Sequence, residues 1–180
     1  MRAPTATDGT AVNGLIRLCP PLDTNSIYCN LLQCTHFANT SVIAEIQATP
    51  VGFISAYLIP DQPNTLFIWQ LAICESTRGQ GLASKMLVHL LARENLGQIQ
   101  YIETTITKQN TASWKFFERF AKTNNCQLVT KALFDKTIHF DDEHESEILV
   151  KIGPLPIDIH GDNINRENHH LPLARQEPTS

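Results

Sequence analysis

A chain of 180 residues, 42% of them hydrophobic, is long enough for one buried core and too apolar to be disordered throughout. A net charge of −4 at pH 7 argues against a nucleic-acid binder, which would carry a basic face. Five cysteines (Cys19, Cys29, Cys34, Cys74 and Cys126) with no C-x-x-C spacing leave no zinc or redox motif. No apolar run follows the N-terminus, and the longest apolar stretches, such as 51–59, are too short to span a bilayer. The expectation is a soluble, cytoplasmic protein with free thiols, no membrane partner and no nucleic-acid partner.

Asp8 reads as the N-cap of a first helix, with Val12, Leu15, Ile16 and Leu18 at helical spacing and Pro20-Pro21 stopping it. A second helix begins near Asn25 or Ser26 and carries Tyr28, Leu31 and Leu32. The period then changes: 41–46 and 51–59 read as strands joined by a hairpin turn at 47–50. After a turn at 60–64, residues 66–73 form a nearly all-apolar strand, and 75–80 a polar loop. Residues 82–96 are a helix with Leu82, Met86, Leu90 and Leu91 inward and Gly97 beyond its end. A strand at 101–106, a helix from 110 to about 122, and an antiparallel pair at 127–134 and 147–152 complete the domain.

The fold class is therefore α/β of the α+β kind: a mixed, mostly antiparallel sheet around one central parallel β-α-β unit, flanked by helices. The folded domain is placed at 1–155. Residues 156–180 are polar and aperiodic, and read as a disordered tail that takes His169 and His170 to the surface.

Residues 71–83, Leu-Ala-Ile-Cys-Glu-Ser-Thr-Arg-Gly-Gln-Gly-Leu-Ala, run from a buried strand through an Arg/Gly-rich turn into a helix. Glycines let the backbone approach a bulky anion, and free N–H groups at the helix start point toward it. No Gly-Lys-Ser/Thr follows, so this is not a Walker loop, nor is it a G-x-G-x-x-G fingerprint. The segment suits a pyrophosphate.

Arg78-x-x-Gly81-x-Ala83 resembles the R/Q-x-x-G-x-G/A motif of the GCN5-related N-acetyltransferases (the GNAT fold), and Asn110-Thr-Ala-Ser113 resembles their helix beside the coenzyme. The resemblance implies acetyl-CoA as co-substrate. It gives Leu71 and Ile73 the backbone contacts to pantetheine, Arg78, Gly79, Gly81, Ala83 and Ser84 the pyrophosphate, and Asn110 the pantetheine arm. Phe117 stands where many members carry a thiolate-protonating tyrosine.

Residues 20–32, Pro-Pro-Leu-Asp-Thr-Asn-Ser-Ile-Tyr-Cys-Asn-Leu-Leu, together with 67–70 and the acidic stretch 141–147, resemble the L-2,4-diaminobutyrate acetyltransferases of ectoine biosynthesis over about 3–155. That resemblance implies N4-acetylation of diaminobutyrate, a role in osmotic stress, and a homodimer. It implies an acceptor site of Asp23, Tyr28, Trp69, His144 and Glu147, with the alternatives that Asp23 ends a helix and that 141–147 is a solvated acidic loop.

Glu147 or Asp23 is the candidate base for a γ-ammonium, Tyr28 a candidate proton donor to the thiolate, and the Ile73 N–H a candidate oxyanion donor. No metal is expected. Acetylation of another small amine or of a peptide amine, and a non-catalytic acetyl-CoA sensor, are the competing readings.

Overall fold

The computed structural model describes residues 1–160. Its elements are α1 (Gly9–Arg17), α2 (Ile27–Thr35), β1 (Val42–Ile46), β2 (Thr49–Ile59), β3 (Gln62–Ile73), α3 (Leu82–Leu91), β4 (Tyr101–Thr107), α4 (Thr111–Thr123), β5 (Gln127–Phe134), α5 (Lys136–Phe140) and β6 (Glu147–Gly153). The six strands form one sheet in the order β1-β2-β3-β4-β6-β5. Only β3 and β4 run parallel; every other pair is antiparallel.

Neighbouring residues of one strand serve two cores, because successive side chains leave a strand on opposite faces. Ile54 packs with Met86, Leu87, Leu90 and Leu91 of α3 and with Phe117 and Phe120 of α4. Phe53 packs on the other face with Val12, Leu15 and Ile16 of α1 and Cys34 of α2. Phe53 and Ile54 are both fully buried. Helices thus cover both faces of the β1–β3 half.

Several expectations are corrected. Asp8 does not cap α1 with its side chain; it sits at the end of a short 3-10 turn, where Thr5 N–H and Arg2 donate to its carboxylate. Leu18 lies past the end of α1 and is exposed, so it adds nothing to that apolar face. The β1–β2 turn is two residues, Gln47 and Ala48, both at positive φ. β2 therefore starts at Thr49, and Pro50 is tolerated because it stands at a bulge opposite Glu45.

The next turn is also short, so β3 starts at Gln62. Helix α3 ends at Leu91, since Arg93 turns away to donate through Nη1 to the carbonyls of Ala38, Asn39 and Ser41. α5 fills what reads as a loop; the Asp135 carboxylate accepts from the N–H groups of Thr137 and Ile138 and starts it.

Leu155 and Ile159 both belong to the main core, and Ile159 is 2% exposed. The packed chain thus runs past position 155, and burying the Ile159 side chain contributes about 1.5–3 kcal/mol. The remainder of the expected tail, with His169 and His170, lies outside the described residues.

Candidate active site

The site begins at an irregularity in β3. Ser55 stands opposite Gln70 but Ala56 stands opposite Ile68, so Trp69 is an extra residue, a bulge in the pairing with β2. Parallel pairing with β4 covers only Thr65, Leu66 and Phe67. Beyond it, the Thr104 hydroxyl donates to the Ile68 carbonyl at 2.9 Å, and then the two strands part.

The direction of the freed main chain follows from alternation. The Cys74 N–H bonds the Val51 carbonyl of β2 at 2.8 Å, so the peptide groups of Leu71 and Ile73 face the other way, into the gap. The Ile73 carbonyl there accepts from Arg78 Nε at 3.0 Å and from the Cys19 thiol at 3.3 Å.

A cavity of about 700 Å³ continues from this gap over the start of α3, lined by Leu71, Ile73, Gly79, Gly81, Ser84 and Asn110 among others. Gly79 and Gly81 both have φ of 75°, and a Cβ on either would meet nothing of the protein within 4 Å. Their missing side chains therefore keep an approach open to a large group. Gly81 is the N-cap of α3, and the first intrahelical bond is Lys85 N–H to its carbonyl. The N–H groups of Leu82, Ala83 and Ser84 are left for an anion. The Asn110 carboxamide oxygen caps α4 by accepting from Ser113 N–H, which leaves its NH₂ free to donate. These residues suit a pyrophosphate with a pantetheine arm. Phe117, 2% exposed and edge-on to Phe116, brings no hydroxyl to the same cavity.

Leu22 also lines the cavity, and the next residue is Asp23. His144 Nε2 lies 3.3 Å from Asp23 Oδ2, and its Nδ1 lies 2.7 Å from the Glu145 carbonyl. A carbonyl and a carboxylate both only accept, so the ring satisfies both contacts as the doubly protonated cation. The bond to the Glu145 carbonyl, and then the charge of Asp23, raise the His144 pKa accordingly.

Glu147 opens β6 opposite Thr107. Its Oε2 is buried without a partner. Burial pushes its pKa up, against the opposing pull of a Thr105 hydrogen bond and of His144. One donor atom from each of Asp23, His144 and Glu147 comes within 4.8 Å of the others, close enough to surround one small cation. With the His144 ring protonated, the two carboxylates are the groups left to meet a cation.

The chain matches the acetyltransferase (GNAT) family over residues 15–121. It is 55% identical, over 152 residues, to the L-2,4-diaminobutyric acid acetyltransferase of Methylotuvimicrobium alcaliphilum, covering 84% of this chain and 88% of that one. The corresponding protein of Chromohalobacter salexigens is 41% identical over 156 residues, 86% of this chain and 81% of the relative. Among solved structures, the diaminobutyrate acetyltransferase EctA of Paenibacillus lautus, in complex with its substrate L-2,4-diaminobutyric acid and coenzyme A, superposes with a TM-score of 0.81. It is 40% identical, covering 85% of this chain and 93% of that one. The chain belongs to the diaminobutyrate acetyltransferases of the GNAT family.

The residues singled out by sequence for the coenzyme share one cavity. Leu71, Ile73, Arg78, Gly79, Gly81, Ala83, Ser84 and Asn110 all line the cavity. Arg78 does so with its Nε tied to the Ile73 carbonyl, so its remaining guanidinium N–H groups are the ones left for a phosphate. Asp23, His144 and Glu147 meet beyond it. Trp69 is 42% exposed, with its ring 6.4 Å from Phe37 and 6.3 Å from Tyr57. Tyr28, in the first turn of α2, is 70% exposed.

Sequence reasoning missed Cys19, Gln70 and Phe140. The Phe140 ring lies 4.7 Å from the His144 ring and backs it, and it sits on the unforeseen α5. Only the run of polar and aromatic residues from 134 to 140 hints at that helix.

Proposed function

We propose that the chain transfers the acetyl group of acetyl-CoA to the 4-amine of L-2,4-diaminobutyrate, giving N4-acetyl-L-2,4-diaminobutyrate. The observation that carries this reading is the cluster of Asp23, His144 and Glu147, whose first member directly follows Leu22 in the lining of a cavity suited to a long, phosphate-bearing thiol ester. A substrate with two ammonium groups matches the paired carboxylates of Asp23 and Glu147.

Acetyl-CoA supplies the activated acyl group. The N–H groups at the start of α3 hold its pyrophosphate, and Asn110 with the main chain of Leu71 and Ile73 holds its arm. Ile73 N–H donates to the carbonyl oxygen as negative charge builds there. An alkyl ammonium has a pKa near ~10 and must lose a proton before it attacks. Glu147 takes that proton, because burial makes its carboxylate hold a proton more tightly than an exposed one. The Asp23 carboxylate, beside His144, pairs with the second ammonium, while Trp69 offers an aromatic wall. Tyr28 is the candidate source of the thiolate's proton, given that Phe117 has none to give.

The reading extends to a cytoplasmic homodimer that serves ectoine synthesis under osmotic stress. Five free cysteines fit a reducing compartment. No helix among the described residues is long and apolar enough to cross a membrane. The edge strand β5 exposes Val129 and Phe134, with Ile138 beyond them on α5, an apolar edge that a second copy would cover.

A thiol-release assay with diaminobutyrate, lysine, simple diamines and peptide amines tests the reaction. Preference for diaminobutyrate with acetylation at the 4-nitrogen by NMR is expected. Preference for a peptide amine, or a 2-acetyl product, overturns it.

A further inference from the structure

The bulge at Trp69 resets the alternation of β3. Leu66 and Ile68 belong to the core under α3 and α4, whereas Ala72 belongs to the core under α1 and α2. Gln70 turns to the α1–α2 side as well, for its Nε2 donates to the main-chain carbonyl of Asp23 at 2.8 Å. The residue is 5% exposed, and its Oε1 is buried without a partner. A buried acceptor left unsatisfied lowers stability, so an apolar side chain of the same size would suit this packing better. The amide serves something other than the core.

What it supplies is a tether. The segment between α1 and α2, which carries Asp23, has no regular structure of its own. Asn13 Nδ2 holds it from behind at the Asn25 carbonyl, 2.9 Å away, within a buried amide chain through Asn30 and Gln33. Gln70 holds it from the front. The residue after Gln70 is Leu71, whose peptide group faces the splayed gap, so the strand that receives the thioester also fixes the acceptor loop. We propose that Gln70 is a positioning residue that sets the Asp23 loop, and with it the bound diamine, at reacting distance from the thioester. The proposal rests on the reading of Asp23 as an acceptor-site residue.

Gln70→Met keeps the volume and removes both amide functions. Its melting temperature is expected to equal or exceed that of the wild type, with acetyl-CoA affinity unchanged. The KM for diaminobutyrate rises roughly three- to tenfold, the loss of about one neutral hydrogen bond, and kcat changes less. Gln70→Glu, which keeps the shape and turns an ionised acceptor on the Asp23 carbonyl, raises KM further. In an Asp23→Ala background Gln70→Met adds nothing, because the tether acts through that loop.

If Asp23→Ala impairs turnover while both Gln70 variants keep the wild-type KM, the Gln70 assignment is overturned and the acceptor site stands. The assignment is equally overturned if Gln70→Met loses the same factor with or without Asp23, or weakens coenzyme binding in step. If Asp23→Ala itself is silent, the acceptor-site reading falls and takes the tether with it.

Discussion

At one end of the cleft the working groups are main-chain N–H donors, delivered by a single run of residues from Leu71 to Ser84 with two glycines at φ of 75°. At the proposed acceptor end they are the side chains of Asp23, His144 and Glu147, the first two 121 positions apart and drawn together by the fold. Main-chain donors are indifferent to what surrounds them, so the coenzyme end suits any acetyl-CoA enzyme. Side-chain charges answer to burial and to each other, and the acceptor end is where one diamine can be told from another. Side chains added at the two glycines of the first end should therefore abolish coenzyme binding outright, and substitutions at the second end should spare it while changing substrate kinetics and pH behaviour.

The largest effect is expected at Gly81. A β-branched residue at φ of 75° is strained, and its side chain would stand in the space left open above the start of α3. Gly81→Val should leave no calorimetrically measurable acetyl-CoA binding while circular dichroism stays native. Undiminished affinity would remove the anion-loop assignment.

Next is Glu147→Gln. Losing one charge-assisted contact costs about 1.5–3 kcal/mol, roughly ten- to a hundredfold in kcat/KM. Losing the base costs more, and raising the pH toward the amine pKa should then restore part of the rate. Coenzyme affinity should not change. Because burial raises the Glu147 pKa, its ionised form opposes folding. That cost is absent below the ordinary carboxylate range and fully present above the raised value. The Gln variant should accordingly melt higher than wild type at neutral pH, with the difference vanishing in acid. Wild-type kinetics in this variant would clear Glu147 of both roles.

A smaller change follows from Asp23→Asn. With the neighbouring charge gone, the His144 pKa should fall toward its ordinary 6.5, as read from the ring proton shifts by NMR. The stability tied to His144 is complete below that ordinary value and is lost as pH rises through the raised one, so the variant should lose less stability over that interval. A residual elevation is expected, because the Glu145 carbonyl is the larger cause and stays. An unmoved titration would show that Asp23 does not reach the ring.

The same contrast decides what could be read in advance. Most of the coenzyme end is contiguous, so strand, glycine turn and helix start appear as one stretch of sequence; the seven residues assigned within it line the cavity, as does Asn110 at the start of α4. The acceptor end was legible only through resemblance, since nothing in the spacing of positions 23, 144 and 147 says that they meet. What escaped altogether is local and irregular. An extra residue at Trp69 leaves no trace in a run as apolar as 66–73, yet it redirects Gln70. A five-residue helix such as α5, held by one Asp135 cap, is too short to show a period. The two-residue Gln47-Ala48 turn lacks the glycine or asparagine that announces positive φ. Ile159 ends a short apolar stretch with Leu155 and Ile157 that shows no helical or strand period beyond it, and only the packing reveals which of them are buried.

The smallest effect is expected at Phe117, where the family pattern and this chain part. Phe117 lines the coenzyme cavity yet is 2% exposed, packed between Phe116 and the core. Phe117→Tyr restores a phenol of the kind many relatives carry. If the slow step is amine deprotonation at Glu147, the chemistry is governed by the far end of the cleft, and a new proton donor beside the thiolate gains little. The kcat should then change less than about threefold, with the pH profile unmoved. A tenfold rise in kcat would reverse the assignment, making thiolate protonation limiting and placing the control of rate at the coenzyme end.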